Sequence, residues 1–218
     1  MMEAVILRIA SLCIGYVFGM FQTGYIYGRL HGLDIRDYGS GNAGTTNVLR
    51  TLGKKAAVIT YFGDAIKSVL SALVIYLLFG RNNQDMAFLY VLYGGLGVIL
   101  GHNFPCYLKF RGGKGIAATS GMLLSLFPFN HLLVVLGFFT FMGVVIVSRY
   151  VSLASLVMIA GFFIEFVIMG QLGMIDVPLR HLPESYCVVF VISALAFIRH
   201  KDNIRRLLSG TERKLGKK

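Results

Sequence analysis

The segment from Gly101 to Ala117, GHNFPCYLKFRGGKGIA, gathers a histidine (His102), three cations (Lys109, Arg111, Lys114) and a glycine cluster (Gly112, Gly113, Gly115) with a lysine inside it. Glycines let backbone N–H groups come close to a ligand, and a lysine among them adds a point charge. That is the chemistry of a phosphate seat, although a basic loop that only holds one face of a membrane would carry the same cations. Two further stretches share the character. Ser40 to Arg50, SGNAGTTNVLR, has freed backbone at Gly41 and Gly44 and neutral donors at Asn42, Thr45, Thr46 and Asn47. It ends on Arg50, whose planar fork suits a phosphate or carboxylate. It leads into a helix expected near Thr51, whose N-terminus favours anions, and it is not a Walker A sequence. Arg199 to Leu215, RHKDNIRRLLSGTERKL, sets His200 and Asn203 three apart, able to face one place, with Arg205 and Arg206 after them. Ile204, Leu207 and Leu208 fit the apolar side of a lipid-surface helix, the reading given to Lys201, Arg213, Lys214, Lys217 and Lys218.

No nucleophile, base and orienting partner stand together: there is no G-x-S-x-G elbow and no His-x4-Asp pair after His102 or His200. Cys13, Cys106 and Cys187 form no CxxC pair and ligands are not clustered, so neither a metal nor a cofactor is expected. What converges is a set of anion donors, suited to a phosphorylated, lipid-linked substrate.

The elements that must position these donors are membrane helices. The 218 residues are 56% hydrophobic and only 14% charged, with a mean hydropathy of +0.71, whereas soluble domains carry about 25% charged residues. A net charge of +11 invites a nucleic-acid reading, but the cations cluster between apolar runs and at the C-terminus, as the positive-inside rule and anionic headgroups require. The apolar runs are Ala4–Leu30, Ala56–Phe79, Met86–Leu100, Ile116–Phe127, His131–Val147, Val151–Met169 and Tyr186–Ile198. Ile116–Phe127 and Tyr186–Ile198 are shorter than the roughly 20 residues a straight crossing needs. Gly170 to Ser185, with Pro178 and Pro183, reads as an external loop. Nearly every cation falls on the side of the three polar stretches, and only Arg8, Arg81 and Arg180 fall on the other. The expected architecture is therefore all-α: one polytopic membrane domain over 1–218, seven transmembrane helices, an external N-terminus, a cytoplasmic C-terminus and a cytoplasmic-face site. Within the second span Asp64 and Lys67 are three apart on one helix face, either fixing helix packing or supporting a site.

Taken together, the three stretches resemble the bacterial acyl-phosphate:glycerol-3-phosphate acyltransferases of the PlsY family. The resemblance rests on Ser40–Arg50, Gly101–Ala117 and His200–Glu212, in order and on one expected face, with Asp64-x-x-Lys67 a further match. Ala43 stands where the family often has proline, and Met20-Phe21-Gln22 where it often has Ser-Ile-Pro. The resemblance implies a seven-helix enzyme of the bacterial inner membrane. Such an enzyme moves a fatty acyl group from acyl phosphate to the sn-1 hydroxyl of glycerol 3-phosphate and yields lysophosphatidic acid and phosphate, the first acylation of phospholipid synthesis. Its partners would be glycerol 3-phosphate, a long-chain acyl phosphate and membrane lipids, without nucleic acid, and the chain is read as a monomer. Physically the task is to position a hydroxyl, neutralise two phosphates and bind an acyl chain. Arg50 and Lys114 are the expected phosphate clamps; Ser40, Asn42 and Asn203 the hydrogen-bonding partners; and the Gly112–Gly113 backbone the holder of an anionic oxygen. Gly44, Thr46, Asn47, Gly115 and Arg205 complete the substrate contacts, and His200 orients glycerol phosphate or acts as a base. Asp64, Lys67 and His102 are expected as support. A transporter of phosphate compounds would use the same donors, but beyond Asp64, Lys67 and Glu165 the spans offer little polar path. A lipid-surface scaffold and the same acyl transfer from acyl-CoA are the other readings; no nucleotide-site feature favours the latter.

Overall fold

Long apolar runs free of internal proline form helices, and among residues 2–216, those that the computed structural model describes, there is no strand. Lys217 and Lys218, read from the sequence as lipid-surface cations, lie outside the described residues. The chain divides into two compact units, one up to Ser125 and one from Leu126 on.

The first unit contains α1 (Met2–Met20), α2 (Thr23–Leu30), α3 (Thr45–Ile75), α4 (Gln84–Asn103) and α5 (Ile116–Ser125). Helix α4 is apolar on every side and buried along most of its length, the signature of a central helix. It packs chiefly against α1, while α3 packs against α5. The α1–α4 contact is backbone to backbone: a Cβ on Gly97 would strike the Leu12 carbonyl, and one on Gly101 the Tyr16 carbonyl. Such small-residue seams let membrane helices approach closely.

Two boundaries here differ from expectation. The first span is not one helix but breaks at Phe21 and Gln22, without proline. Helix α3 starts at Thr45 rather than near Thr51, so Arg50 lies inside its first turns; the helix kinks at Gly53 (φ 85°, ψ −175°). Gly44 serves as its N-cap residue, with no side-chain cap.

The second unit contains α6 (His131–Ser148), α7 (Val151–Gln171), α8 (Leu182–Arg199) and α9 (Lys201–Leu208). Helices α6 and α7 pack on each other and α8 packs on α7. The turn between α6 and α7 is closed by Arg149 in the left-handed region (φ 62°) and by the Ser148 hydroxyl, which accepts from the Tyr150 N–H at 3.1 Å. Helix α8 begins at Leu182, so the expected external loop is shorter and the last run longer than read. Pro183 is the reason: in the first helical turn its missing N–H has no helical partner to lose. The helix expected at the lipid surface in the tail is confined to α9 and ends at Leu208.

Six helical segments are long and apolar enough to cross a membrane: Met2–Leu30, Thr45–Gly80, Gln84–Leu108, His131–Ser148, Val151–Gln171 and Leu179–Arg199. Ile116–Ser125 is a shorter apolar helix, as its sequence indicated.

Candidate functional site

The break between α1 and α2 is where the intramembrane charges go. A helix end leaves carbonyls unpaired and a helix start leaves N–H groups unpaired. Lys67 Nζ donates to the Gly19 carbonyl at 3.2 Å and to the Phe21 carbonyl at 2.6 Å, at the end of α1. Asp64 Oδ1 accepts from the Thr23 hydroxyl at 3.2 Å and faces the Thr23 N–H at 3.4 Å, at the start of α2. Each charge also matches the sign of the helix end it meets. The two pair with each other at 2.9 Å with side chains 4% and 1% exposed. The Asp64–Lys67 pair is thus a cap for a broken helix.

The same pair reaches the glycine loop through His102. Lys67 Nζ lies 2.8 Å from His102 Nδ1. The His102 carbonyl accepts from Gln22 Nε2 at 3.0 Å and from the Gly113 N–H at 3.0 Å. The Gly112 N–H donates to the Asn103 carbonyl at 3.2 Å. The N–H groups of Gly112 and Gly113, expected to hold an anionic oxygen, here close the end of α4. The need for glycine there is steric, because a Cβ on Gly112 would strike the His102 carbonyl and one on Gly113 the His102 ring. His102 thus links the Asp64–Lys67 pair to the end of α4. Gly115 (φ 85°) turns the chain into α5, and its carbonyl accepts the Thr119 N–H at 2.7 Å. Lys114 lies just ahead of that helix start, partly exposed. The first-turn N–H groups of a helix favour anions.

In the other loop of this unit, Asn47 is 2% exposed and its amide is committed. Its Oδ1 accepts from the Ser40 N–H at 2.8 Å, and its Nδ2 donates to the carbonyls of Ile35 and Tyr38, both at 3.0 Å. Asn47, expected among the substrate contacts, holds the fold of the loop. Ile35 and Ala43 pin the loop by packing with Val48 and Ala56. Ala43, at a family proline position, is thus an apolar plug. The Gly44 N–H donates to Asn42 Oδ1 at 3.1 Å, so Gly44 shapes the turn. Ser40 and Arg50 are exposed at the surface, with Asn42 and Thr46 partly so.

The second unit carries the third motif. His200 is 3% exposed and terminates α8; its Nδ1 lies 2.7 Å from the Ala196 carbonyl. A carbonyl only accepts, so Nδ1 carries a proton. Asn203 Nδ2 donates to Glu212 Oε1 at 2.8 Å, while Glu212 also accepts from the Ser152 hydroxyl at 2.9 Å and from Arg206 Nε at 2.6 Å. Burial pushes the Glu212 carboxyl up, but the hydrogen bonds from Arg206, Asn203 and Ser152, with the Arg206 charge, outweigh it and hold the group below its ordinary value. Arg205 is exposed on α9.

Sequence reasoning missed three contributors. Glu212 and Ser152 hold Asn203 and the tail; the signal for Glu212 was an acid closing a motif otherwise rich in cations. Asn103 is fully buried, neither atom of its amide has a partner, and it stands against Gly115. No periodicity marks such a residue.

Comparison with known proteins gives the chain its family. A glycerol-3-phosphate acyltransferase of Allorhizobium ampelinum is 41% identical over 211 residues, covering 96% of this chain and 93% of that protein. One of Clostridioides difficile is 39% identical over 211 residues, covering 94% of each. A crystal structure of PlsY (YgiH), an integral membrane glycerol 3-phosphate acyltransferase in its glycerol 3-phosphate form, superposes with a TM-score of 0.77 at 33% identity, covering 98% of this chain and 96% of that one. The lysophosphatidic acid form of PlsY superposes equally well, with a TM-score of 0.77. The chain is accordingly an all-helical, multi-pass integral membrane protein. The profile described as glycerol-3-phosphate acyltransferase matches residues 9–210, and the chain belongs to that family.

Proposed function

We propose that this enzyme transfers a fatty acyl group from acyl phosphate to the sn-1 hydroxyl of glycerol 3-phosphate at the cytoplasmic face of a bacterial inner membrane. The observation that carries the reading is likeness over almost the whole chain to a PlsY structure holding glycerol 3-phosphate. In the reaction the acyl–phosphate C–O bond breaks, the ester C–O bond forms, and the hydroxyl proton leaves with the departing phosphate. The products are lysophosphatidic acid and inorganic phosphate. Phosphate is a good leaving group, so positioning and charge neutralisation carry most of the catalysis.

Arg50 and Lys114 are the proposed phosphate clamps, with the α5 start beside Lys114. Ser40, Asn42 and Thr46 hydrogen-bond the substrates from the α2–α3 loop. Gly44, Gly112, Gly113, Gly115 and Asn47 shape backbone. His200 orients the glycerol phosphate, and the acyl phosphate itself takes the proton. Asn203 is a hydrogen-bond donor held by Glu212, and Arg205 adds a cation. The arrangement of seven crossings, counting the short α5, with an external N-terminus and a cytoplasmic C-terminus, rests on the distribution of cations.

The test is product formation by the purified chain with glycerol 3-phosphate and either acyl phosphate or acyl-CoA. Lysophosphatidic acid and phosphate are expected from acyl phosphate only. Arg50→Ala and Lys114→Ala should each lower turnover by about 100-fold or more, the usual effect of deleting one charge-stabilising donor. Turnover with acyl-CoA alone would overturn the donor. No product from folded protein would overturn acyl transfer and make solute flux in vesicles the next assay.

A further inference from the structure

The first unit has a pocket of ≈ 280 Å³ lined by Tyr25, Arg36, Tyr107, Leu108, Lys109 and Arg111. None of these residues belongs to the proposed acyl-transfer machinery. One wall is already satisfied. Arg36 forks onto Asp34 with contacts of 3.0 and 2.7 Å, reaches the Leu108 carbonyl at 3.3 Å, and lies 4.9 Å from the centre of the Tyr25 ring. The hydrogen bond from Arg36 holds the Asp34 carboxyl below its ordinary value, so the pair is neutral within itself.

The other wall is not satisfied. The side chains of Lys109 and Arg111 have no hydrogen-bond or ion-pair partner among the described residues. The backbone is bent to bring them to the pocket: Lys109 (φ 55°) and Phe110 (φ 59°) are consecutive left-handed residues, a conformation that side-chain-bearing residues rarely adopt. The Phe110 N–H closes this turn on the Pro105 carbonyl at 3.0 Å. The remaining acid nearby, Asp37, is a single exposed carboxylate, so positive charge is in excess.

A guanidinium fork beside an ammonium is phosphate-binding chemistry. The volume lies below that of pockets for drug-sized ligands, so a headgroup fits and an acyl chain does not. Tyr107 and Phe110 beside it are 53% and 59% exposed. Aromatic side chains so placed sit at headgroup depth in a bilayer, and a free phosphate would have no use for them. We propose that the Tyr25–Arg36–Tyr107–Lys109–Arg111 pocket is a second anion site, separate from the acyl-transfer clamps, that takes the phosphate ester of an anionic phospholipid headgroup. It rests on the membrane reading and not on the identity of the acyl donor. Because Lys109 and Lys114 share one loop, an occupied pocket would also hold the loop that carries a substrate clamp.

The experiment is native mass spectrometry of the full chain released from nanodiscs containing phosphatidylglycerol or phosphatidylcholine, for wild type, Lys109→Gln, Arg111→Gln and the double variant. Retention of phosphatidylglycerol over phosphatidylcholine is expected in wild type, weakened about fivefold for each cation removed. Inorganic phosphate and glycerol 3-phosphate, added at millimolar level, should not displace the lipid. Displacement by either would overturn the lipid source and leave a site for free phosphate. Unchanged phosphatidylglycerol retention by the double variant would overturn the site itself. Acyl transfer in phosphatidylcholine nanodiscs should be unaltered by the double variant, which keeps a failed pocket distinguishable from a failed enzyme reading.

Discussion

At the scale of single residues, spacing sets side chains on one face without revealing what they bond. Asp64 and Lys67 were legible as a pair on one helix face, whereas the helix break they cap was not, because Phe21 and Gln22 carry no breaking signal. The break becomes intelligible only with Lys67 on the Gly19 and Phe21 carbonyls and Asp64 at Thr23. That geometry makes a prediction different from that of an ordinary buried ion pair. Removing one partner, as in Asp64→Asn or Lys67→Met, leaves a poorly compensated buried group and should destabilise the protein by about 3–5 kcal/mol. Replacing both by leucine removes the charges, and for a simple pair this is often neutral. Here two carbonyls and the Thr23 donors lose their partners as well, so the double variant should remain about 1–3 kcal/mol below wild type. Thermal unfolding in one detergent checks this, and a double variant as stable as wild type would refute the capping role. Asn47, Gly112 and Gly113 teach the same lesson from the other side. Their types match a ligand-binding loop, yet their polar groups are bonded to backbone, and only the fold reveals which donors are already taken.

At the scale of elements, helices were legible from apolar runs and their ends were not. Helix α3 starts early because Gly44 and Thr45 already begin a turn, and α8 starts early because Pro183 is tolerated in a first turn. The tail after α9 was read as a continuing surface helix, but Glu212 folds it back. There the Leu215 N–H donates to the Arg149 carbonyl at 2.7 Å, and Lys214 lies 5.3 Å from the centre of the Tyr150 ring. This docking has a pH signature. The folded-state Glu212 carboxyl titrates below its ordinary value, so its contribution is fully present above the unfolded value of about 4.3 and is lost as pH falls through the folded one. Hydrogen exchange at residues 211–216 should be steadily protected from pH 7 to about 5 once intrinsic rates are corrected, and should lose protection below about 4. Glu212→Gln should show loosened tail amides already at neutral pH. An acid profile identical in Glu212→Gln and wild type would remove Glu212 as the latch.

At the scale of the whole molecule, composition alone marked a multi-pass membrane protein, since 14% charged residues and long apolar runs leave few alternatives. The proposed sidedness rests on cations that are sparse in one set of loops. The number of crossings was less so: α5 has only 10 residues, and apolar length cannot separate a short crossing from a re-entrant helix. The proposed orientation can be tested with the cysteines the chain already has. Cys13, Cys106 and Cys187 are all unpaired and exposed at the protein surface. Cys13 in α1 and Cys187 in α8 lie in apolar spans, out of reach of a reagent confined to water. Cys106 follows α4, two residues before the Leu108 end of the third apolar segment, on the loop leading to Lys114, the stretch proposed as cytoplasmic from its cations. A membrane-impermeant maleimide should therefore label Cys106 in inside-out vesicles and leave it unlabelled in right-side-out ones. Cys106→Ala should abolish the signal, and Cys13→Ala with Cys187→Ala should leave it intact. Labelling of Cys106 from the external side would invert the topology, and with it the side on which Arg50 and Lys114 are proposed to meet their phosphates.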